Sequence, residues 1–147
     1  MYRNYRFLYA AILFGTALLF SCSTSSHNKK GVEAAMKQYD HLILKLDADS
    51  IALLYAPDGD LGNMAHGRDA IRKFLLTFNN LKVLSQSSVT RSVRMNGDSS
   101  LQKGTYRQTV VISGKDTVTV KGEYTATWLW MGKNGWHIKR METVPVQ

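Results

Sequence analysis

Read from its N-terminus, the chain changes hydrophobic rhythm several times. Residues 7–21 carry no charged side chain and are rich in Leu, Phe, Ala and Ile. Residues 23–30 are Ser/Thr-rich, polar and without periodicity, which predicts a flexible tether. From Val32 the apolar positions Val32, Ala35, Met36, Tyr39, Leu42, Ile43 and Leu46 recur at steps of three and four, while Glu33, Lys37, Asp40 and Lys45 fill much of the opposite side. That spacing lays one apolar stripe along a helix of about four turns. A second, shorter helix should run through Ile51, Leu53 and Leu54, capped by Asp47 or Asp49 and stopped by Pro57. Residues 58–64 leave room for one small strand. Ile71, Phe74, Leu75 and Phe78 then form the stripe of a third helix, which begins after Gly67.

Beyond Leu81 the period shortens to two. Asn96-Gly97-Asp98, Ser113-Gly114-Lys115-Asp116 and Gly132-Lys133-Asn134-Gly135 are turn signals, because Gly and Asn accept the positive φ that tight hairpins require. They divide the remainder into four long strands, roughly 81–95, 99–113, 116–131 and 136–146, joined as an antiparallel meander. The third alternates most cleanly, with Val118, Val120, Tyr124, Ala126, Trp128 and Trp130 on one face and Thr117, Thr119, Lys121, Glu123, Thr125 and Thr127 on the other. Strands of this length accumulate twist and cannot stay flat. The fold class expected is therefore α+β, with three N-terminal helices packed on the apolar, concave face of a strongly curved antiparallel sheet.

Charge and cysteine content sharpen the reading of the first residues. Met1 to Arg6 holds two arginines and no acid, and the uncharged run of 15 residues after it is short of the ~20 that span a bilayer. This is the pattern of a cleavable signal peptide over residues 1–21. It ends at Leu19-Phe20-Ser21-Cys22, which resembles a lipobox, although Phe20 is bulkier than the usual occupant. The resemblance implies diacylglyceryl transfer to the Cys22 thiol, cleavage before it and acylation of the new amino group. Cys22 is the only cysteine, so no disulfide staples the chain. Two or three acyl chains would hold the protein stably at a membrane. Ser23 after the cysteine favours the periplasmic face of the outer membrane in a two-membrane envelope. Residues 22–31 then form the tether and 32–147 a single domain. Without Arg3 and Arg6 the chain keeps 17 basic and 11 acidic residues, a charge of +6 spread without a basic block. Nucleic acid is not an expected partner.

The order helix, short helix, short strand, helix and four curled strands resembles the nuclear transport factor 2-like superfamily, including SnoaL-like proteins and ketosteroid isomerases. Residues 49–56 resemble its second helix, Gly67-Arg68-Asp69-Ala70-Ile71-Arg72-Lys73-Phe74 the opening of its third, and Trp136-His137-Ile138-Lys139-Arg140 its last strand. The resemblance covers residues 32–146 and implies a cystatin-like cone with a pocket between helices and sheet. It does not imply one activity. Ketosteroid isomerases use a carboxylate base, a Tyr and a protonated Asp, the handling of which is a well-known case of pKa tuning. By spacing, Tyr39 takes the place of that Tyr, but the base falls at about Asn63 and the second carboxyl near Ala126. An amide accepts no proton at neutral pH. Isomerase chemistry of that type is therefore not expected.

Alternation places Tyr106, Gln108 and Tyr124 on the concave face with Tyr39, and puts Arg140 and Glu142 on the face of Trp136 and Ile138. Arg91 joins them if Val89 and Val93 point inward. A tyrosine-lined pocket with one Arg would suit a small apolar, aromatic or carboxylate-bearing ligand, whereas a filled core with an Arg140–Glu142 pair is the plainer alternative. Asp58 and Asp60 could replace the missing base or simply make turns, and His66 before the third helix is the remaining acid–base candidate. His27, His41, His66 and His137 have no metal-ligand spacing, and no cofactor motif is present. The convex face, rich in Thr, Lys, Arg and Glu, predicts a monomer or weak homodimer. The expectation is a lipid-anchored envelope protein, non-catalytic, that binds a small ligand or an envelope partner. The alternative is a SnoaL-like enzyme (isomerase, cyclase or hydratase) using His66 or Asp60.

Overall fold

The computed structural model describes residues 26–146; the expected signal peptide and Cys22, the expected site of acylation, lie outside the described residues. The elements follow the expected order: α1 (Lys29–Lys45), α2 (Ala48–Leu54), β1 (Tyr55–Leu61), β2 (Ala65–His66), α3 (Arg68–Leu76), β3 (Leu81–Asn96), β4 (Ser99–Ile112), β5 (Asp116–Trp130), a 3-10 turn (Gly132–Asn134) and β6 (Trp136–Pro145). One six-stranded sheet, ordered β2-β1-β6-β5-β4-β3, carries the three helices. The meander of β3 to β6 is antiparallel throughout. The sheet is nonetheless mixed, not purely antiparallel, because β1 runs parallel to β6 with Tyr55 opposite Ile138 and Leu61 opposite Met141. Parallel neighbours cannot be joined by a tight turn, and here α3, β3, β4 and β5 all intervene.

The chain enters the domain earlier than its periodicity suggests. Asn28 caps α1 by accepting from the Gly31 N–H at 3.0 Å, so the helix starts at Lys29 and not at Val32. Ser26 O accepts the Trp136 indole N–H at 2.9 Å, and His27 stacks on Trp130 with ring centroids 4.7 Å apart. The last residues of the expected tether are thus packed against the ends of β5 and β6. Asp47, not Asp49, caps α2 through the Ser50 N–H at 3.0 Å.

Core residues come from every layer: Val32, Met36 and Ile43 from α1, Ile51 from α2, Ile71 from α3, and Tyr55, Trp128, Ile138 and Met141 from the sheet. Each buried aliphatic side chain contributes about 1.5–3 kcal/mol. Among the described residues all of this cluster lies between Val32 and Met141, so a fragment of residues 23–147 retains it. Trp128 and Gln102 are both fully buried, and the indole N–H donates to Gln102 Oε1 at 2.9 Å. Gln102 Nε2 in turn donates to Thr90 Oγ1 at 2.8 Å, which satisfies an amide that would otherwise be costly to bury.

Asp40, read from sequence as part of the solvated face of α1, is half-buried and bridges to β3. Its carboxylate accepts from Gln86 Nε2 at 2.9 Å, Ser88 Oγ at 2.7 Å and the Ser88 backbone N–H at 2.9 Å. Because β3 is the outer strand of the meander, that N–H faces away from β4 and would otherwise be an open edge donor.

Two inward-facing glycines admit a close approach that no other residue would allow. Gly104 on β4 is paired with Tyr124 on β5, and two steps along Tyr106 is paired with Gly122. Each tyrosine ring lies over the glycine opposite: a Cβ on Gly104 would sit 2.7 Å from the Tyr124 ring, and one on Gly122 would sit 2.6 Å from the Tyr106 ring. Backbone closes in too, with Val89 O at 2.1 Å and Val144 O at 2.4 Å from the same two positions. Gly104→Ala and Gly122→Ala should therefore each destabilise the domain by ~1–3 kcal/mol, although Ala at an unconstrained strand position gains ~0.5–1 kcal/mol over Gly. Urea unfolding of the two variants checks this, and an unchanged or raised midpoint would mean that the sheet can flatten without loss.

Candidate functional site

Between the helices and the concave face lies a partly open cavity of about 240 Å³. Helix α1 contributes Met36, Tyr39 and Ile43, one helical stripe at steps of three and four. From α3 and the turn after it come Phe74, Leu75 and Phe78, the two phenyl rings meeting edge to face at 5.2 Å. Leu61 and Met64 close the side near β1. The floor is built by inward positions of four strands: Gln86 and Ser88, Tyr106 and Gln108, Val120 and Tyr124, Met141 and Thr143.

Of the residues expected in this pocket, Tyr39, Tyr106, Gln108 and Tyr124 are brought together and Arg140 is not. A bulge explains the difference. On β6, Ile138 pairs with Trp128 but Arg140 pairs with Thr127, which leaves Lys139 as an extra residue. Inward facing passes from Trp136 and Ile138 to Met141 and Thr143, and Arg140 and Glu142 turn to the other side. Arg140 Nε donates to Glu142 Oε1 at 2.8 Å, while Nη2 donates to Asn63 Oδ1 at 3.0 Å. Arg91 is excluded in the same way. A bulge between Thr90 and Ser92 splits the parity of β3, so Val93 packs against the core while Val89 is exposed. Arg91 instead pairs with Glu123 at 2.7 Å.

The candidate acids and bases stand apart from the cavity as well. His66 Nδ1 lies 2.7 Å from Asp60 Oδ1, and Arg140 Nη1 lies 3.6 Å from Asp60 Oδ2. The three line a shallow depression at the β1–β2 edge, where the His66 side chain is 72% exposed. The His66 contact holds the Asp60 carboxyl below its ordinary range. Lys139 Nζ, 2.7 Å from Asp58 Oδ2, does the same for Asp58. Among the described residues no group of three or more His, Cys, Asp or Glu side chains could hold a metal ion.

Phenols dominate the polar chemistry of the cavity. Tyr39 borders the space yet is enclosed by protein, and burial pushes its hydroxyl up to about 12. Beside it, Tyr55 is fully buried, and burial, together with the neighbouring Tyr39 phenol, raises its hydroxyl well above the usual phenol value. Tyr124 is raised by burial too, with its hydroxyl 3.3 Å from Thr90 Oγ1. All three are neutral donors at physiological pH. Sequence reasoning did not find Met36, Met64, Gln86, Ser88, Met141 or Thr143. The one legible sign was the step of three from Ile138 to Met141, where a regular strand takes two.

No protein-family model matches the chain, and no curated protein matches it. Solved structures do. A Xanthomonas campestris protein, provisionally described as a calcium/calmodulin dependent protein kinase II association domain, aligns with a TM-score of 0.71 at 21% identity, covering 82% of this chain and 89% of its own. A ketosteroid isomerase-like protein from Erwinia carotovora atroseptica gives 0.70 at 16% identity, covering 79% and 94%. An NTF2-like protein with a cystatin-like fold from Novosphingobium aromaticivorans gives 0.64 at 18% identity, covering 79% and 80%. The chain therefore has the cystatin-like, NTF2-like fold, and at these identities the likeness concerns the fold alone.

The raised phenols carry a consequence for alkaline stability. An unfolded chain loses the Tyr39 proton near pH 10, whereas the folded domain keeps it to about 12. The contribution of Tyr39 to stability is thus intact below pH 10 and is lost progressively as pH rises from 10 to about 12. Tyr55 and Tyr124 act in the same direction. In residues 23–147, phenolate absorbance from these three tyrosines should appear only together with the loss of helical circular dichroism. A complete phenolate titration centred near pH 10 in a folded domain would contradict it.

Proposed function

We propose that the protein is exported, acylated at Cys22 and held at the periplasmic face of the outer membrane, and that its cone is a non-catalytic receptacle for a compact, uncharged, largely aromatic ligand. The observation that carries the ligand reading is the composition of the cavity wall: among its lining residues none bears a carboxylate, an imidazole, an amine or a guanidinium. Apolar side chains from α1, α3 and β1 would enclose the body of the ligand. The hydroxyls of Tyr39, Tyr106 and Tyr124 and the amides of Gln86 and Gln108 offer hydrogen bonds to one or two polar atoms. The volume is near the lower end of ligand pockets, ~300–1,000 Å³, and exceeds the ~150 Å³ apolar cavity that takes up benzene. A single ring with a carbonyl or hydroxyl substituent fits this description. The convex face carries Thr109, Thr119 and the Arg91–Glu123 pair, which suits a monomer or a weak homodimer.

The alternative, an acid–base enzyme using His66 or Asp60, has their 2.7 Å contact in its favour. Against it stands their position on the sheet edge, outside the cavity. The residue at the isomerase base position, Asn63, is exposed, and its carbonyl oxygen is already engaged by Arg140.

Native mass spectrometry of the domain purified from its own host should reveal a co-purified ligand of low mass. Val120→Trp, which extends an indole into the cavity, should weaken binding of that ligand by about tenfold or more, a loss of ~1.4 kcal/mol or greater. His66→Ala should leave binding unchanged. A ligand whose affinity follows His66 and ignores Val120 would move the site to the sheet edge and favour the enzyme.

A further inference from the structure

A second concavity lies at the bulged outer edge of β3, lined by Lys29, Ser92, Val93, Arg94, Met95, Leu101 and Lys103. Its cations come from three elements, α1, β3 and β4; Leu101 shares the outer face of the sheet with Arg94 and Lys103, while Val93 and Met95 turn to the helix side and pack against the core. None of Lys29, Arg94 or Lys103 lies within ion-pair distance of an acid among the described residues. Near Arg94 and Lys103 the acids are otherwise engaged: Asp98 at the β3–β4 turn is 3.2 Å from His27 Nε2, and Glu123 is held by Arg91, while Glu33, one helical turn on from Lys29, makes no ion pair with it. Stability does not account for this grouping. Like charges around one groove repel, and Lys29 in the first turn of α1, a turn without an acidic residue, meets the positive end of the helix dipole. An anion with an apolar portion would relieve both.

The groove also has a fixed relation to Cys22. Only Ser23, Thr24 and Ser25 separate Cys22 from Ser26, and Ser26 is bonded to Trp136 and lies three residues from Lys29. Four steps of extended chain span at most about 14 Å. His27, bonded to Gly97 O at 3.2 Å, places the β3–β4 turn at the same end of the domain. This end then faces whatever surface holds Cys22, and a tether of this length lets the cations come within the ~8–10 Å over which charge is felt in physiological salt. We infer that the groove of Lys29, Arg94 and Lys103 docks on the phosphate-bearing headgroups of anionic phospholipids in the bilayer that holds Cys22, an inference that rests on the acylation proposed above. The headgroup phosphate meets the cations, while Leu101, on the same face as Arg94 and Lys103, borders the adjoining glycerol. Docking here turns the β4–β5 turn away from the membrane and sets the orientation of the cone.

The test uses residues 23–147, without acyl chains, and vesicles of phosphatidylcholine with or without phosphatidylglycerol. The domain should sediment with phosphatidylglycerol vesicles alone, and high salt should release it. A Lys29→Gln, Arg94→Gln, Lys103→Gln triple variant, checked for folding by circular dichroism, should bind at least about tenfold more weakly. A Lys45→Gln, Lys82→Gln, Lys115→Gln variant has the same net charge and should bind as the wild type does. Equal losses in the two variants would reduce the effect to overall charge and overturn the groove. Equal binding to both vesicle types, or displacement by glycerol phosphate at the concentration of the lipid phosphate, would overturn the membrane as its partner. The intact mass of the mature protein from its host tests Cys22 acylation separately, so the anchor and the groove fail by different measurements.

Discussion

A sheet can wrap around helices only where its strands are allowed to bend, and here that freedom is concentrated at Gly104 and Gly122. Neither carries a side chain on the concave surface, and the rings of Tyr124 and Tyr106 occupy the space the missing Cβ atoms leave. The two tyrosines are therefore floor and hinge cover together. Their placement leaves room between sheet and helices that the core does not fill. If either glycine carried a side chain, the neighbouring ring would be displaced into the cavity. Pocket and curvature are consequences of the same cross-strand pairing.

The separation of charge follows from this geometry. Neutral groups line the cavity, and the one carboxylate close behind its wall, Asp40, is held by Gln86 and Ser88. The bulge at Lys139 matters most, because it turns Arg140 away from the cone and toward Asp60, Asn63 and Glu142. An arginine on the inner side would have suited an anionic ligand. Met141 in its place leaves an apolar wall, and burial keeps Tyr39 and Tyr124 protonated.

Much of the architecture was legible in the chain because it depends on local periodicity. The stripe from Val32 to Leu46, the Asn-Gly and Gly-containing turns, and the alternation from Val118 to Trp130 each bury one face whatever the rest of the molecule does. The pocket tyrosines were legible for the same reason, since parity along β4 and β5 is unbroken. Two kinds of feature were not. Bulges at Leu84, Arg91 and Lys139 insert one residue and reverse every facing beyond them, and only the last leaves a trace in the sequence, the three-residue step from Ile138 to Met141. Long-range polar contacts such as Asp40 with Ser88, 48 residues apart, or Ser26 with Trp136, 110 apart, depend on tertiary approach. A polar residue on a helix looks solvated until the strand beside it is known.

The contact between Asp40 and Ser88 has an implication for misassembly. β3 is a long outer strand, and a stretch of its unpaired backbone is occupied by a helix and not by another strand. Were α1 to fray from the sheet, through heat or loss of its Asn28 cap, that backbone would become a template for strand addition by a neighbouring molecule. Self-association of this protein would then begin with detachment of its first helix while the sheet itself was still intact.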